Sequence, residues 1–111
     1  MASKVQVISH SEVIHLQQES GAISVIDVRE VDEFQDVRSP LAINFPLSRF
    51  DPVKLAERYP RQQTIYVLCR SGRRSLQAAE ILVANGFQSV FNVEGGMLEW
   101  EASGLPVARG R

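Results

Sequence analysis

No disulfide can form within this chain, because its 111 residues include one cysteine. A lone thiol fits a reducing compartment and is either structural or reactive. Net charge is also missing: twelve basic side chains against thirteen acidic ones leave −1, so no global field draws the chain toward nucleic acid or a membrane. No stretch approaches the ~20 apolar residues of a membrane span, and the N-terminal MASKVQVISH contains no long apolar segment of the secretory kind. Two histidines, at 10 and 15, and one distant cysteine give no metal-ligand spacing. Repeats and low-complexity segments are absent. These absences predict one soluble, cytoplasmic domain over residues 1–111, or one module of a longer chain, with no metal, no cofactor, and no nucleic-acid or membrane partner.

Hydrophobic residues reach 44%, enough for a real core at this length. Short apolar runs alternate with helix-like segments. VQVI (5–8) reads as a strand. Ser9 and Glu12 have capping-box spacing and open a helix to about Glu19. ISVIDV (23–28) is a β-branched run suited to a strand covered on both faces. VDEF (31–34) is a short helical turn, and LAINF (41–45) a strand stopped by Pro46. DPVKLAERY (51–59) has an Asp cap with Pro in the first helical position. TIYVLC (64–69) is a strand. RRSLQAAEILVANG (73–86) is the clearest helix, ended by Gly86. SVFNV (89–93) is a strand, and GGMLEWEA (95–102) holds a last short helix. The terminal ARGR (108–111) reads as a loose end. Strands alternating with helices predict an α/β domain with a mainly parallel five-stranded sheet flanked by helices.

Ligands of such sheets bind outside the carboxyl ends of the strands, and Cys69 sits at one such end, just before a helix. A thiolate is the nucleophile, and its pKa falls from about 8.5 at a helix N-terminus or beside cations. CRSGRRS (69–75) supplies both conditions. The helix opening near Arg73 directs its free N–H groups back at the loop, and Arg70, Arg73 and Arg74 add charge. Gly72 permits the backbone to turn inward so that several N–H groups face one anion. A core thiol, the ordinary state of a free cysteine, needs no such cationic loop. The histidines give no sequence support for a protease-like Cys–His pair and read as a helix face.

Four stretches together resemble the rhodanese family, and in particular its small single-domain sulfurtransferases. DVREVDEF (27–34), PLAINFPL (40–47), CRSGRRS (69–75) and VEGGMLEWEASGLPV (93–107) stand in the family's order and cover nearly the whole chain. The resemblance implies a three-layer rhodanese-like fold. It also implies a reaction in which Cys69 takes the sulfane sulfur of thiosulfate or a persulfide, forms a persulfide, and passes the sulfur to a thiophilic acceptor. Cyanide, a cellular thiol or a protein sulfur acceptor could serve. The amides and side chains of Arg70, Ser71, Gly72, Arg73 and Arg74 would bind the anion, with Arg74 first in rank, then Arg70 and Arg73. The alternative is a relay or regulatory binding module with little turnover of free substrate. Cysteine phosphatases of the related loop type place an arginine six residues after the cysteine, where this chain has Ser75.

The chain departs from the family pattern at Val37–Ala42, where Arg38 replaces a histidine and two glycines are lost. Segment 37–41 is therefore a candidate partner surface. Asp27 either borders the site or caps the next turn. Arg29 and Glu33 have the i, i+4 spacing of an ion pair. Gly95 and Gly96 suit a close backbone approach near the loop, and Trp100 suits the core.

Overall fold

The structure, a computed structural model, describes residues 4–110. Its element order is β1 (Gln6–Ile8), α1 (His10–Ser20), β2 (Ser24–Asp27), α2 (Val31–Asp36), β3 (Val37–Arg38), β4 (Ala42–Asn44), a 3-10 turn (Leu47–Arg49), α3 (Pro52–Arg58), β5 (Ile65–Leu68), α4 (Arg73–Ala84), β6 (Val90–Val93), α5 (Gly96–Ala102) and β7 (Ala108–Arg109). Five strands form a parallel sheet in the order β1-β6-β5-β2-β4. This is the α/β architecture expected from the alternation of strands and helices.

Side-chain alternation along β5 explains the three layers. Ile65, Val67 and Cys69 enter a core with Leu55, Ala78, Ala79 and Leu82, on the α3 and α4 side. Tyr66 and Leu68 enter the opposite core with Val13, Met97 and Trp100, on the α1 and α5 side. Every residue of β5 is buried, as a continuous apolar run requires when both faces are covered. The parity also decides where the cysteine points. Position 69 continues the odd series and faces the N-terminus of α4.

The helix boundaries follow local chemistry. Ser9 Oγ accepts the Glu12 amide at 3.2 Å, and Asp51 accepts the amides of Val53 and Lys54 with Pro52 opening α3. α4 stops where Gly86 takes φ +92°. The Gly86 amide donates to the Val83 carbonyl and the Phe87 amide to that of Leu82, both at 3.1 Å, which satisfies the last carbonyls of the helix.

The C-terminal segment is not a loose end. Ala108–Arg109 pairs antiparallel with Val37–Arg38. Arg38 Nη1 donates to the carbonyls of Phe34, Gln35 and Gly110, and Arg109 meets Glu101 at 3.3 Å. Pairing gives both short segments partners for backbone groups that would otherwise need water. Arg111, the last residue of the expected loose end, lies outside the described residues. Arg38, at the altered 37–42 segment, thus stitches this ribbon to the end of α2. Among the described residues no helix is long and apolar enough to cross a membrane.

Candidate active site

β5 ends at Leu68, and the chain then passes through residues 69–72 into α4. Gly72 caps that helix at φ +104°, a conformation open to glycine at little cost. The turn aims the Gly72 amide at Cys69 Sγ, at 3.0 Å. Ser75, in the first turn of α4, places its hydroxyl 3.2 Å from the same sulfur. Ser75 in turn donates to Asn92 Oδ1, and Asn92 Nδ2 donates to the Gly72 carbonyl at 3.1 Å. Asn92 thereby ties together the cap and the hydroxyl that surround the sulfur. On ionisation of Cys69, the Ser75 proton can turn from Asn92 to the sulfur.

The loop is braced from behind by α5. The Met97 amide donates to the Cys69 carbonyl at 2.8 Å, and the Leu98 amide to the Arg70 carbonyl at 3.0 Å. Peptide units are planar and trans. Two carbonyls turned toward α5 therefore set the next two amides, of Arg70 and Ser71, the opposite way. The first N–H groups of one helix, otherwise without partners, thus orient the loop that lies over the N-terminus of another. A Cβ on Gly96 would stand 2.4 Å from the Cys69 carbonyl oxygen and 2.6 Å from the Arg70 carbonyl, so the close approach expected of this glycine is real. Gly95 differs: its Cβ would meet the Glu99 side chain of the same helix. Trp100 lies in the core as expected, fully buried, with its indole N–H on the Pro106 carbonyl.

Cys69 is 1% exposed. Burial pushes its thiol up, but the Ser75 hydroxyl and the amides of Ser75, Gly72 and Ser71 outweigh burial and hold the pKa below its ordinary value. The thiolate is stabilised by hydrogen-bond donors in place. Replacing Ser75 by alanine removes one of the groups that lower the pKa. Thiolate fraction rises with pH through that pKa, so the rising limb of alkylation by iodoacetamide should move to higher pH in Ser75→Ala. Below the limb the rate should fall about five-fold, the equivalent of ~1 kcal/mol for one hydrogen bond, and at high pH the two proteins should converge. An unshifted limb would contradict this assignment.

The three arginines separate. Arg74 forms two bonds to Glu33, at 2.6 and 2.8 Å, and these, the strongest influence, act with the Glu30 amide and the nearby guanidinium charges to outweigh burial and lower the Glu33 carboxyl to about 2. The arginine ranked first for anion binding is therefore committed to a carboxylate. Arg70 and Arg73 are exposed, and neither makes an ion pair or side-chain hydrogen bond among the described residues. Ser71 is exposed between them.

The expected side-chain pair between Arg29 and Glu33 does not form. The i, i+4 rule holds within a helix, but α2 begins only at Val31, and Arg29 precedes it. Its guanidinium turns inward to Asp27 at 2.8–3.1 Å and to the Val37 carbonyl at 2.6 Å. It touches Glu33 only through the backbone carbonyl, at 3.4 Å. Asp27 is fully buried and also accepts the Arg29 amide. Of its two expected roles, closing the turn after β2 is the one its contacts serve. The histidines lie elsewhere: His10 meets Ser103 Oγ at 2.8 Å and His15 meets Glu19. Ser75 and Asn92 escaped the sequence reading of the site, although an asparagine inside the apolar VFNV run is a visible signal of a buried polar task.

The family described as a rhodanese-like domain matches residues 9–103. A putative sulfur carrier protein of Bacillus subtilis, YrkF, is 35% identical over 79 residues, which cover 71% of this chain and 42% of that protein. A sulfurtransferase of Allochromatium vinosum is 32% identical over 77% of this chain and 78% of its own length. Among solved structures, a rhodanese-related protein from Thermoplasma volcanium superposes with a TM-score of 0.76 at 29% identity, over 93% of this chain and 97% of that one. The chain belongs to the rhodanese-like family.

Proposed function

We propose that this chain is a sulfur relay that carries sulfane sulfur as a persulfide on Cys69 and hands it to a thiol. The observation that carries the reading is a buried sulfur held by the Gly72 amide and the Ser75 hydroxyl inside a loop braced by α5. With thiosulfate as donor, the Cys69 thiolate attacks the outer sulfur, the bond between the two donor sulfurs breaks, and its electron pair leaves with sulfite. The product is a Cys69 persulfide anion, and charge balances at −3 on each side. Preorganised donors that stabilise the thiolate can then hold the terminal sulfur, so one ring of groups serves a two-step nucleophilic transfer. Ser75 at the sixth position after the cysteine contacts the sulfur where a phosphatase needs a phosphate-binding arginine, which favours sulfur over phosphate. Relatives described as a putative sulfur carrier and as a sulfurtransferase support the same chemistry. The single thiol supports a reducing, cytoplasmic setting.

The Glu33–Arg74 pair favours a relay over a rapid enzyme for free thiosulfate. With Arg74 occupied, Arg70 and Arg73 alone offer free guanidinium charge to the sulfonate end. Glu33→Gln keeps an acceptor for the Glu30 amide and releases Arg74. Steady-state kinetics with thiosulfate and cyanide should show slow turnover for the native chain. In Glu33→Gln the KM for thiosulfate should fall several-fold at nearly constant kcat. An unchanged or raised KM would mean that Arg74 has no part in donor binding. Rapid native turnover would favour the second reading, a thiosulfate sulfurtransferase served by Arg70 and Arg73.

A further inference from the structure

Donors and acceptors beside the sulfur do not balance. The Ser75 hydroxyl carries one hydrogen. Two acceptors lie within its reach: Asn92 Oδ1, which holds that hydrogen, and Cys69 Sγ at 3.2 Å. Asn92 cannot turn its amide round to donate to Ser75 instead, because Nδ2 is committed to the Gly72 carbonyl at 3.1 Å. Strand register keeps the residue in place, with Asn92 opposite Val67 of β5. This is the pattern of a neutral cysteine, whose S–H donates to Ser75 Oγ while Ser75 donates to Asn92. A thiolate has no hydrogen to give. It takes the one on Ser75, and Oδ1 then loses its donor. Cys69, Ser75 and Asn92 are all buried, so bulk water does not level the difference.

We propose that Asn92 is a positioning residue that acts on Cys69 through Ser75: it holds the hydroxyl beside the sulfur while the sulfur is neutral, and yields the hydrogen when the sulfur gains charge. The hydrogen stays bonded to Ser75 Oγ throughout, and only its acceptor changes. The relay, on which this inference rests, has a use for the device. When the acceptor attacks the outer sulfur, the sulfur–sulfur bond breaks and its electron pair comes to Cys69 Sγ. Charge then appears beside a hydroxyl that needs only to rotate, a donor already in place. The cost falls on Asn92, whose buried Oδ1 is left without a donor, and this limits how far the thiolate is stabilised. The charged groups around the sulfur are Arg70 of the loop, Arg73 and Arg74 of α4, Glu33 of α2, Asp27 and Arg29 at the end of β2, and Glu99 of α5. Among the described residues none of them bonds to the side chain of Ser75 or Asn92. Their fields act on the sulfur without moving the hydrogen.

Two measurements test this, and neither needs sulfur on the protein. In the first, the side-chain carbonyl carbon of Asn92 is followed by NMR as pH is raised. Its signal should move to lower frequency as Oδ1 loses its hydrogen bond, with the same midpoint as the iodoacetamide limb. In Ser75→Ala it should lie at the lower position throughout, and in Cys69→Ala at the higher one. A signal that stays still in the native chain, or that moves as far in Ser75→Ala, would overturn the proposal. The second measurement is the alkylation limb of the native chain, Ser75→Ala, Asn92→Asp and the double variant. A carboxylate at position 92 keeps the Ser75 hydrogen in both states of the sulfur. The loss caused by Ser75→Ala, about five-fold in the native background, should therefore shrink to under about two-fold in Asn92→Asp. An undiminished loss would make Asn92 scaffolding alone. Sulfur loading from thiosulfate, read by intact mass, is judged separately. A chain that shows both effects and gains no sulfur keeps Asn92 as the positioning residue of the thiolate and loses the relay.

Discussion

Gly96→Ala should lower the stability of the fold by about 3 kcal/mol or more and abolish sulfur loading. Two costs add. Left-handed backbone, here φ +55°, costs a residue with a Cβ roughly 1–2 kcal/mol. The new Cβ would also stand 2.4 Å from the Cys69 carbonyl oxygen, a backbone atom that cannot swing aside, and overpacking of this kind typically costs ~1–3 kcal/mol. Relief requires α5 to retreat from the loop, which breaks the bonds from Met97 and Leu98 that set the loop peptides. Gly104→Ala is the control, because that glycine has φ +71° but nothing within 4 Å of its Cβ. Urea denaturation and thiosulfate loading should show a loss of stability at both positions, far larger at Gly96, and a loss of loading at Gly96 alone. Equal losses at the two glycines would show that the close approach does not hold the loop.

Removing the guanidinium of Arg29 should destabilise the chain by about 3–5 kcal/mol, the usual cost of leaving one member of a buried ion pair alone. Asp27 is 0% exposed and Arg29 3%, so water cannot replace the lost partner. Arg29→Met keeps most of the buried volume and isolates the electrostatic loss. It also deprives the Val37 carbonyl of its donor at 2.6 Å, loosening the junction between β3 and α2, the helix that carries Glu33. The double replacement Asp27→Leu with Arg29→Met should be far less costly than the sum of the single changes, because no buried charge is then left unpaired. The comparison is made by urea denaturation of the four proteins. Strict additivity would show that the pair is not coupled.

The sheet and the place of the cysteine were legible because they follow from local patterns. β5 is a continuous apolar run, and the period of two sends Cys69 to the α4 side. The Asp51–Pro52 opening of α3 and the Gly86 stop of α4 are written in residue types whose conformational preferences act within a few positions. What was not legible depends on partners far along the chain. Arg29 could pair with Asp27 or Glu33 on spacing alone, and the choice turned on where α2 begins. Glu33 and Arg74 are 41 residues apart, and only the folded loop brings them together. The β3–β7 ribbon consists of two-residue strands, too short to show any period. Ser75 became a ligand of the sulfur because Asn92 holds it, and Asn92 stands there because β6 pairs with β5 in the register that sets Val67 opposite Asn92. Tertiary register created that contact, and no pattern within either segment encodes it.

The relay depends on Cys69 carrying sulfane sulfur. Intact mass spectrometry of the reduced protein after incubation with thiosulfate, beside Cys69→Ala, reads that sulfur on the protein itself. The native protein should gain one sulfur atom, roughly 32 Da, that cyanide or cysteine removes and that the alanine variant never shows. A folded native protein that gains no mass, or an equal gain in Cys69→Ala, would contradict the relay.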